Sequence, residues 1–182
     1  MYAKRKMNVK INSKYITLQN TKTKHIMALL EEKIQKKIDE LIDLSYEEFQ
    51  KGNYDKSFTL QNEAWELYPN PKEQWNEAYN LAKYIFQDYI KLGKFTEAKE
   101  WLEKMNEINN TLKKEKETLG YDEEVNFEAG KYFYETGNLE ETYRLWREVV
   151  RRSGKSHFRF FEGEDKKYLE FYKSQTKLRE SK

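Results

Sequence analysis

The sequence contains no cysteine, which excludes disulfide staples, thiolate metal sites and a cysteine nucleophile. Histidine occurs twice, as His25 and His157, and neither has a residue three or four positions away suited to completing a metal site. No glycine-rich phosphate loop of the Walker type is present. Only two prolines and seven glycines interrupt 182 residues, so few positions break a helix. No apolar run approaches the ~18 residues of a membrane span, and no apolar stretch follows the charged start Met1–Lys6. These gaps point away from an enzyme, a metal or a cofactor, and towards a soluble, cytoplasmic protein.

Charge and aromatic rings are what the chain has in quantity. Charged residues make up 36% and hydrophobic residues 37%, a thin supply of core for a compact sphere. Fourteen Tyr, ten Phe and four Trp compensate, since each ring buries far more area than Ala or Val. Polar helix surfaces joined by aromatic seams fit an elongated helical stack better than an α/β fold. The net charge of +2 conceals a division along the chain. Residues 1–30 carry seven Lys/Arg and no acid, residues 31–143 carry a net −11, and residues 144–182 a net +6. Partners will be steered by the sign of the region they approach.

Residues 1–23 are polar and basic with weak alternation at Val9, Ile11, Tyr15 and Leu18, which reads as a basic arm or a small hairpin. From His25 the apolar period becomes helical. Ile26, Leu29, Leu30, Ile34, Ile38, Leu41, Ile42 and Phe49 form one stripe ending at Gly52. Asp55 is then placed to cap a second helix, stopped by Pro69. Asn70-Pro71-Lys72-Glu73 carries a capping side chain, a Pro at the first helical position and an acid, and predicts that a third helix opens there and runs to Gly93. Thr96 is placed to cap a fourth. Asp122 starts a fifth ending at Gly137, and Asn138 with Glu141 starts a sixth ending near Gly154. Residues 155–163 read as a loop or short extended piece before a final amphipathic helix with Tyr168, Leu169, Phe171, Tyr172 and Leu178.

One turn recurs. Gly52-Asn53-Tyr54-Asp55-Lys56-Ser57, Gly93-Lys94-Phe95-Thr96-Glu97-Ala98 and Gly137-Asn138-Leu139-Glu140-Glu141-Thr142 all read Gly, polar, large apolar, two polar, small. The Gly ends one helix in a left-handed cap, the large side chain plugs the inter-helix angle, and the small residue lets the next helix pack closely.

At these residues the chain resembles the tetratricopeptide repeat (TPR) family, over roughly residues 38–154. Ala64 matches that family's second small position, Pro69 its terminal Pro, Tyr89 and Phe133 its first-helix aromatic, and Gly130 its first-helix Gly. The turn-to-turn spacings of 41 and 44 residues exceed the family's usual value of about 34. Glu48 stands where an aromatic is expected, and Thr142 and Gly154 stand where Ala and Pro are expected. Longer helices are the expected reason for the spacing.

The resemblance implies an all-α fold, about seven helices in antiparallel pairs stacked as a short TPR-like α-solenoid. Residues 24–182 would then form one domain whose last helix caps the third pair. It implies a non-catalytic adaptor that binds a protein or peptide, expected to be basic, along a concave, acidic face. Mapped from the turns, that face comprises Asp39, Ile42, Tyr46 and Phe49; Asn80, Lys83, Gln87 and Ile90; and Glu124, Phe127, Lys131 and Tyr134. Acids around Glu47, Glu77 and Glu128 would supply its charge. A more specific version is a bacterial immunity protein neutralising a basic toxin. A further alternative is RNA or single-stranded nucleic acid, bound through residues 147–161, where Arg147, Arg151, Arg152, Lys155 and Arg159 mix with His157, Phe158, Phe160 and Phe161. The −11 region opposes a phosphate backbone running along the stack. The acid pairs Glu31-Glu32, Glu47-Glu48, Glu123-Glu124 and Glu140-Glu141 point to different sides of a helix and read as surface and first-turn charges.

Overall fold

The computed structural model describes residues 30–116, 121–154 and 158–181. The basic segment over 1–23, together with His25, Lys155 and His157, lies outside the described residues. Among the described residues are seven α-helices and no strand. They are α1 (Glu32–Gln50), α2 (Tyr54–Glu66), α3 (Asn76–Lys91), α4 (Phe95–Lys116), α5 (Asp122–Glu135), α6 (Leu139–Ser153) and α7 (Lys166–Glu180). No described helix is long and apolar enough to cross a membrane.

The helices pack as adjacent pairs, α1 with α2, α3 with α4 and α5 with α6. All three pairs close through the same backbone geometry. Gly52, Gly93 and Gly137 take φ of +82°, +68° and +85°, a region that costs other residues a Cβ clash. In each turn the Gly N–H donates to the carbonyl three residues back, at 3.0–3.1 Å to Phe49, Ile90 and Tyr134. The following N–H donates to the carbonyl five residues back, at Glu48, Tyr89 and Phe133. These bonds satisfy carbonyls that a helix end otherwise leaves unpaired.

The second helix of each pair begins two residues after its Gly, at Tyr54, Phe95 and Leu139. This is earlier than caps at Asp55 and Thr96 would place it. The reason is that Asn53, Lys94 and Asn138 supply the carbonyl that opens the helix, accepting from Ser57, Ala98 and Thr142 at 3.0–3.1 Å. Only Asn138 also caps with its side chain, whose Oδ1 accepts from Glu141 N at 3.3 Å. Asn53 instead turns its amide to Glu48 Oε2 at 2.8 Å.

The departures from the expected pattern have local causes. Pro71 is followed by a 3-10 turn, Lys72–Gln74, and α3 starts only at Asn76 because Trp75 is extended. The segment is held back on the end of α2. Lys72 Nζ donates to the carbonyls of Trp65 at 3.1 Å and Tyr68 at 3.2 Å, and Trp75 Nε1 donates to the Pro69 carbonyl at 2.8 Å. The added residues between Gly52 and Gly93 therefore lie in this linker rather than in longer helices. Between Gly93 and Gly137, a 22-residue α4 takes up much of the added length. Of residues 155–163, read as a loop or short extended piece, Arg159–Phe161 form a 3-10 turn and Glu162 is extended.

Glu48 replaces the aromatic side chain that Tyr89 and Phe133 supply at the other two turns. Its carboxylate is tied to Asn53, to Lys51 at 3.0 Å and to Lys56 at 3.4 Å. The Asn53 amide and the Lys51 ammonium hold its pKa well below the usual carboxylate range, at about 2.

Small residues set the approach of the helices within each pair. Ser57, Ala98 and Thr142 are all fully buried. Ser57 Oγ donates to the Ser45 carbonyl at 2.8 Å, and Thr142 Oγ1 donates to the Gly130 carbonyl at 3.3 Å. In both cases a hydroxyl on the second helix reaches the backbone of the first, at the same distance in sequence from its turn. A Cβ on Gly130 would lie 2.2 Å from Trp146 Nε1, an indole that is fully buried and donates to the Phe127 carbonyl at 3.0 Å.

Aromatic contacts join one pair to the next. Phe58 of α2 stacks on Tyr89 of α3 with centroids 4.0 Å apart, Trp65 meets Trp101 edge-on at 5.1 Å, and Tyr79 stacks on Tyr121 at 4.2 Å. A second core closes the carboxyl-terminal end. There Phe161, Tyr168 and Tyr172 pack on Phe127, Tyr143, Trp146 and Val149, so α7 covers the third pair.

Gly130→Ala is expected to lower stability by about 1–3 kcal/mol through overpacking against Trp146, read as a lower urea midpoint at unchanged slope. The depressed Glu48 pKa predicts stabilisation that is full above the ordinary carboxylate range and is lost as pH falls towards about 2. Glu48→Gln should flatten that part of the acid limb in a pH series of thermal melts.

Candidate functional site

Helices α1, α3 and α5 are the first of each pair, and individual side chains link α1 to α3 and α3 to α5. α1 meets α3 at its carboxyl end, where Lys91 Nζ sits 5.4 Å from the Phe49 ring centroid. At the other end, Asp39 of α1 and Glu77 of α3 both act on the buried Tyr68 hydroxyl, whose pKa burial raises first and these two carboxylates raise further. α3 meets α5 through two polar bridges one helical turn apart. Lys83 Nζ donates to Glu124 Oε1 at 2.6 Å, and Gln87 Nε2 donates to Glu128 Oε1 at 2.6 Å.

The sequence-selected residues divide between surface and interior. Asp39, Tyr46 and Asn80 are exposed, Tyr46 at 61%. The Asp39 carboxylate accepts from the Gln35 amide at 2.8 Å. Phe49 is half-buried edge-on to Tyr54 at 5.0 Å. Lys83, Gln87 and Glu124 are half-buried in the α3–α5 bridges, Ile42 is half-buried on α1, and Ile90 is buried. Tyr134 is half-buried against Tyr168 and Phe171 at 5.3 and 5.2 Å. Phe127 is 2% exposed inside the second aromatic core and presents no ring to solvent.

Lys131 and Glu128 are buried as well, and Glu128 is not one of the surface acids expected from the charge count. Lys131 Nζ lies 2.8 Å from Glu128 Oε2 and 3.1 Å from Glu164 Oε2. Burial opposes the Lys131 ammonium, but the two carboxylates outweigh it and hold the group above its ordinary pKa. Burial pushes Glu128 up, against the pull of Lys131 and with help from Glu164. A carboxylate and an ammonium out of water stabilise the fold only while each keeps the other.

This network floors a cleft of about 500 Å³ between α3, α5 and Gly163–Tyr168. Across it, Glu135 Oε1 accepts from Lys167 Nζ and from the Tyr168 hydroxyl, both at 2.6 Å. The pairing of Glu128 with Lys131 three residues on is visible in the sequence. Glu164 and Lys167 are over thirty residues away, and no local pattern brings them to it.

The basic segment is tied to the fold where it is described. Arg151 and Arg152 both bond Glu148, at 2.7 Å, and Arg152 also lies 3.9 Å from Asp122. Phe161 is buried, and Phe158 and Phe160 are half-buried against the second core. Arg159 lies over the Phe160 ring at 5.0 Å. Among the described residues, no group of three or more Asp, Glu or His is arranged to hold a metal ion.

Comparison with protein-family models, with curated proteins and with solved structures gives no match.

Lys131→Met, which strands Glu128, is expected to cost about 3–5 kcal/mol in urea unfolding. Adding Glu128→Gln should restore much of it. The single variant's deficit should shrink on acidification, because a stranded Glu128 can take up a proton.

Proposed function

We propose that this chain is a non-catalytic, TPR-like interaction module that holds a basic protein or peptide on the face shared by α1, α3 and α5. The observation that carries the reading is the identity of the three turns, in φ and in backbone hydrogen bonding. Equal turns put residues at equal distances from Gly52, Gly93 and Gly137 in equivalent places within their own pair, which supports reading the sequence-selected positions as one side of a stack. The contacts of α2 with α3, α4 with α5 and α3 with α5 support stacking of the pairs as a short α-solenoid, capped by α7.

Partner sign follows from charge. The net −11 of residues 31–143 attracts a cationic surface. A basic toxin is one such partner, and the immunity-protein reading is that special case. Nucleic acid is the weaker reading, because the rings of residues 158–161 turn inwards and Arg151 and Arg152 are engaged by Glu148.

The test is a hydrogen-exchange footprint of the complex captured from native extract. Protection on α1, α3 and α5 is expected, with no shift of single-stranded oligonucleotides in gels at low salt. Protection confined to α2, α4 and α6, or to residues 147–161, would reject the proposal.

A further inference from the structure

The shared face has two halves of different chemistry. In the α3–α5 half, charge is consumed internally: Lys83 by Glu124, Gln87 by Glu128, and Lys131 by Glu128 and Glu164. In the α1–α3 half it is not. Asp39, Asp43 and Glu77 have no cation within 4 Å among the described residues, and Glu47 meets Lys51 only at 3.9 Å. Lys91, the cation that lies between α1 and α3, is held by Asp88 at 3.0 Å and by the Phe49 ring.

The same half carries an exposed ring. Tyr46 is 61% exposed. Asp39, Ile42, Asp43 and Tyr46 follow at three- and four-residue steps and therefore lie on one stripe of α1. On α3 the exposed ring of Tyr84 already has Lys83 Nζ 5.9 Å from its centroid, so it belongs with the α3–α5 bridges. A monomer gains nothing from leaving a phenol ring among unpaired carboxylates. A cationic side chain brought there gains both Coulomb attraction and the face of a ring.

Building on the module proposed above, we infer that recognition is concentrated in the α1–α3 half, and that the partner element seated there is an arginine- or lysine-bearing segment with a cation over Tyr46 and others paired with Asp39, Asp43 and Glu77. The α3–α5 half is the rigid support, its charges already paired within the chain. Charge complementarity selects this occupant: Asp39, Asp43 and Glu77 and the Tyr46 ring outweigh the exposed Lys36 and the Asp88-held Lys91.

Fluorescence anisotropy of the full-length protein with a labelled peptide of alternating arginine and glycine tests this, with a glutamate–glycine peptide as control. The basic peptide should bind with affinity that falls steeply as salt rises, and the acidic one should not bind. Asp39→Lys with Asp43→Lys should weaken binding at least about tenfold. Tyr46→Ala should weaken it about threefold, with circular dichroism unchanged. Glu63→Lys with Glu107→Lys changes net charge equally on exposed positions of α2 and α4, and should have a much smaller effect.

Equal losses from the two charge reversals would reduce the effect to net charge and overturn the inference. So would binding indifferent to the α1 changes, as expected if residues 1–29 or a second copy of the chain covered that stripe. The same variants applied to a native complex separate the two readings. A partner lost on Tyr134→Ala but not on the α1 changes would overturn this localisation and leave the interaction module standing. A partner lost only on Arg147→Glu with Arg159→Glu would remove both.

Discussion

Two helices joined by two or three residues can lie side by side only if the chain reverses within one residue and their axes come close. Both conditions are met three times by one arrangement: a left-handed glycine, two backbone bonds that close the first helix, and a small buried residue five positions later. Everything else depends on it. Close approach at Ser57, Ala98 and Thr142 brings the two helices of each pair together, and rings such as Phe58–Tyr89, Trp65–Trp101 and Tyr79–Tyr121 fill the seams between pairs. Those seams hold a chain with a modest apolar content together, because each ring removes about 150–250 Å² from water.

Turn chemistry is local, and for that reason the fold was legible in the sequence where turns govern it. Gly130 could be picked out by counting back from Gly137, and its role is geometric, since Trp146 occupies the space a Cβ would fill. The start of α3 was misplaced by the same kind of reasoning. Asn70-Pro71-Lys72-Glu73 has the composition of a helix start, but Lys72 and Trp75 are recruited to the carbonyls of α2's end. A tertiary demand for acceptors and donors overrode a local propensity. Glu48 shows the converse: an apparent defect in the pattern is a polar latch on the same turn.

The candidate face was less legible, for a physical reason. Counting from turns gives the direction in which a side chain leaves its helix, but not what covers it afterwards. Phe127 and Tyr134 of α5 are met by residues from the 158–172 region, so one becomes core and the other half core. Lys131 and Glu128 are covered by the same segment, through Glu164. On α1 nothing described arrives to cover Tyr46, and it stays in water.

Net charge by region carries the same ambiguity. A −11 total does not say which acids face solvent. Part of it is spent holding the molecule together, on Glu48 at the first turn, on Glu124 and Glu128 between α3 and α5, and on Asp122, which takes Lys113 at 2.8 Å and Asn109. Acids tied to an ammonium or an amide inside the fold exert little pull at a distance, because their field is cancelled nearby. The steering field comes from the remainder, which includes the exposed Asp39, Asp43 and Glu77. Acids inside the fold, such as Glu124 and Glu128, thus fix the relative placement of α3 and α5, whereas Asp39, Asp43 and Glu77 stay exposed with no cation within 4 Å among the described residues.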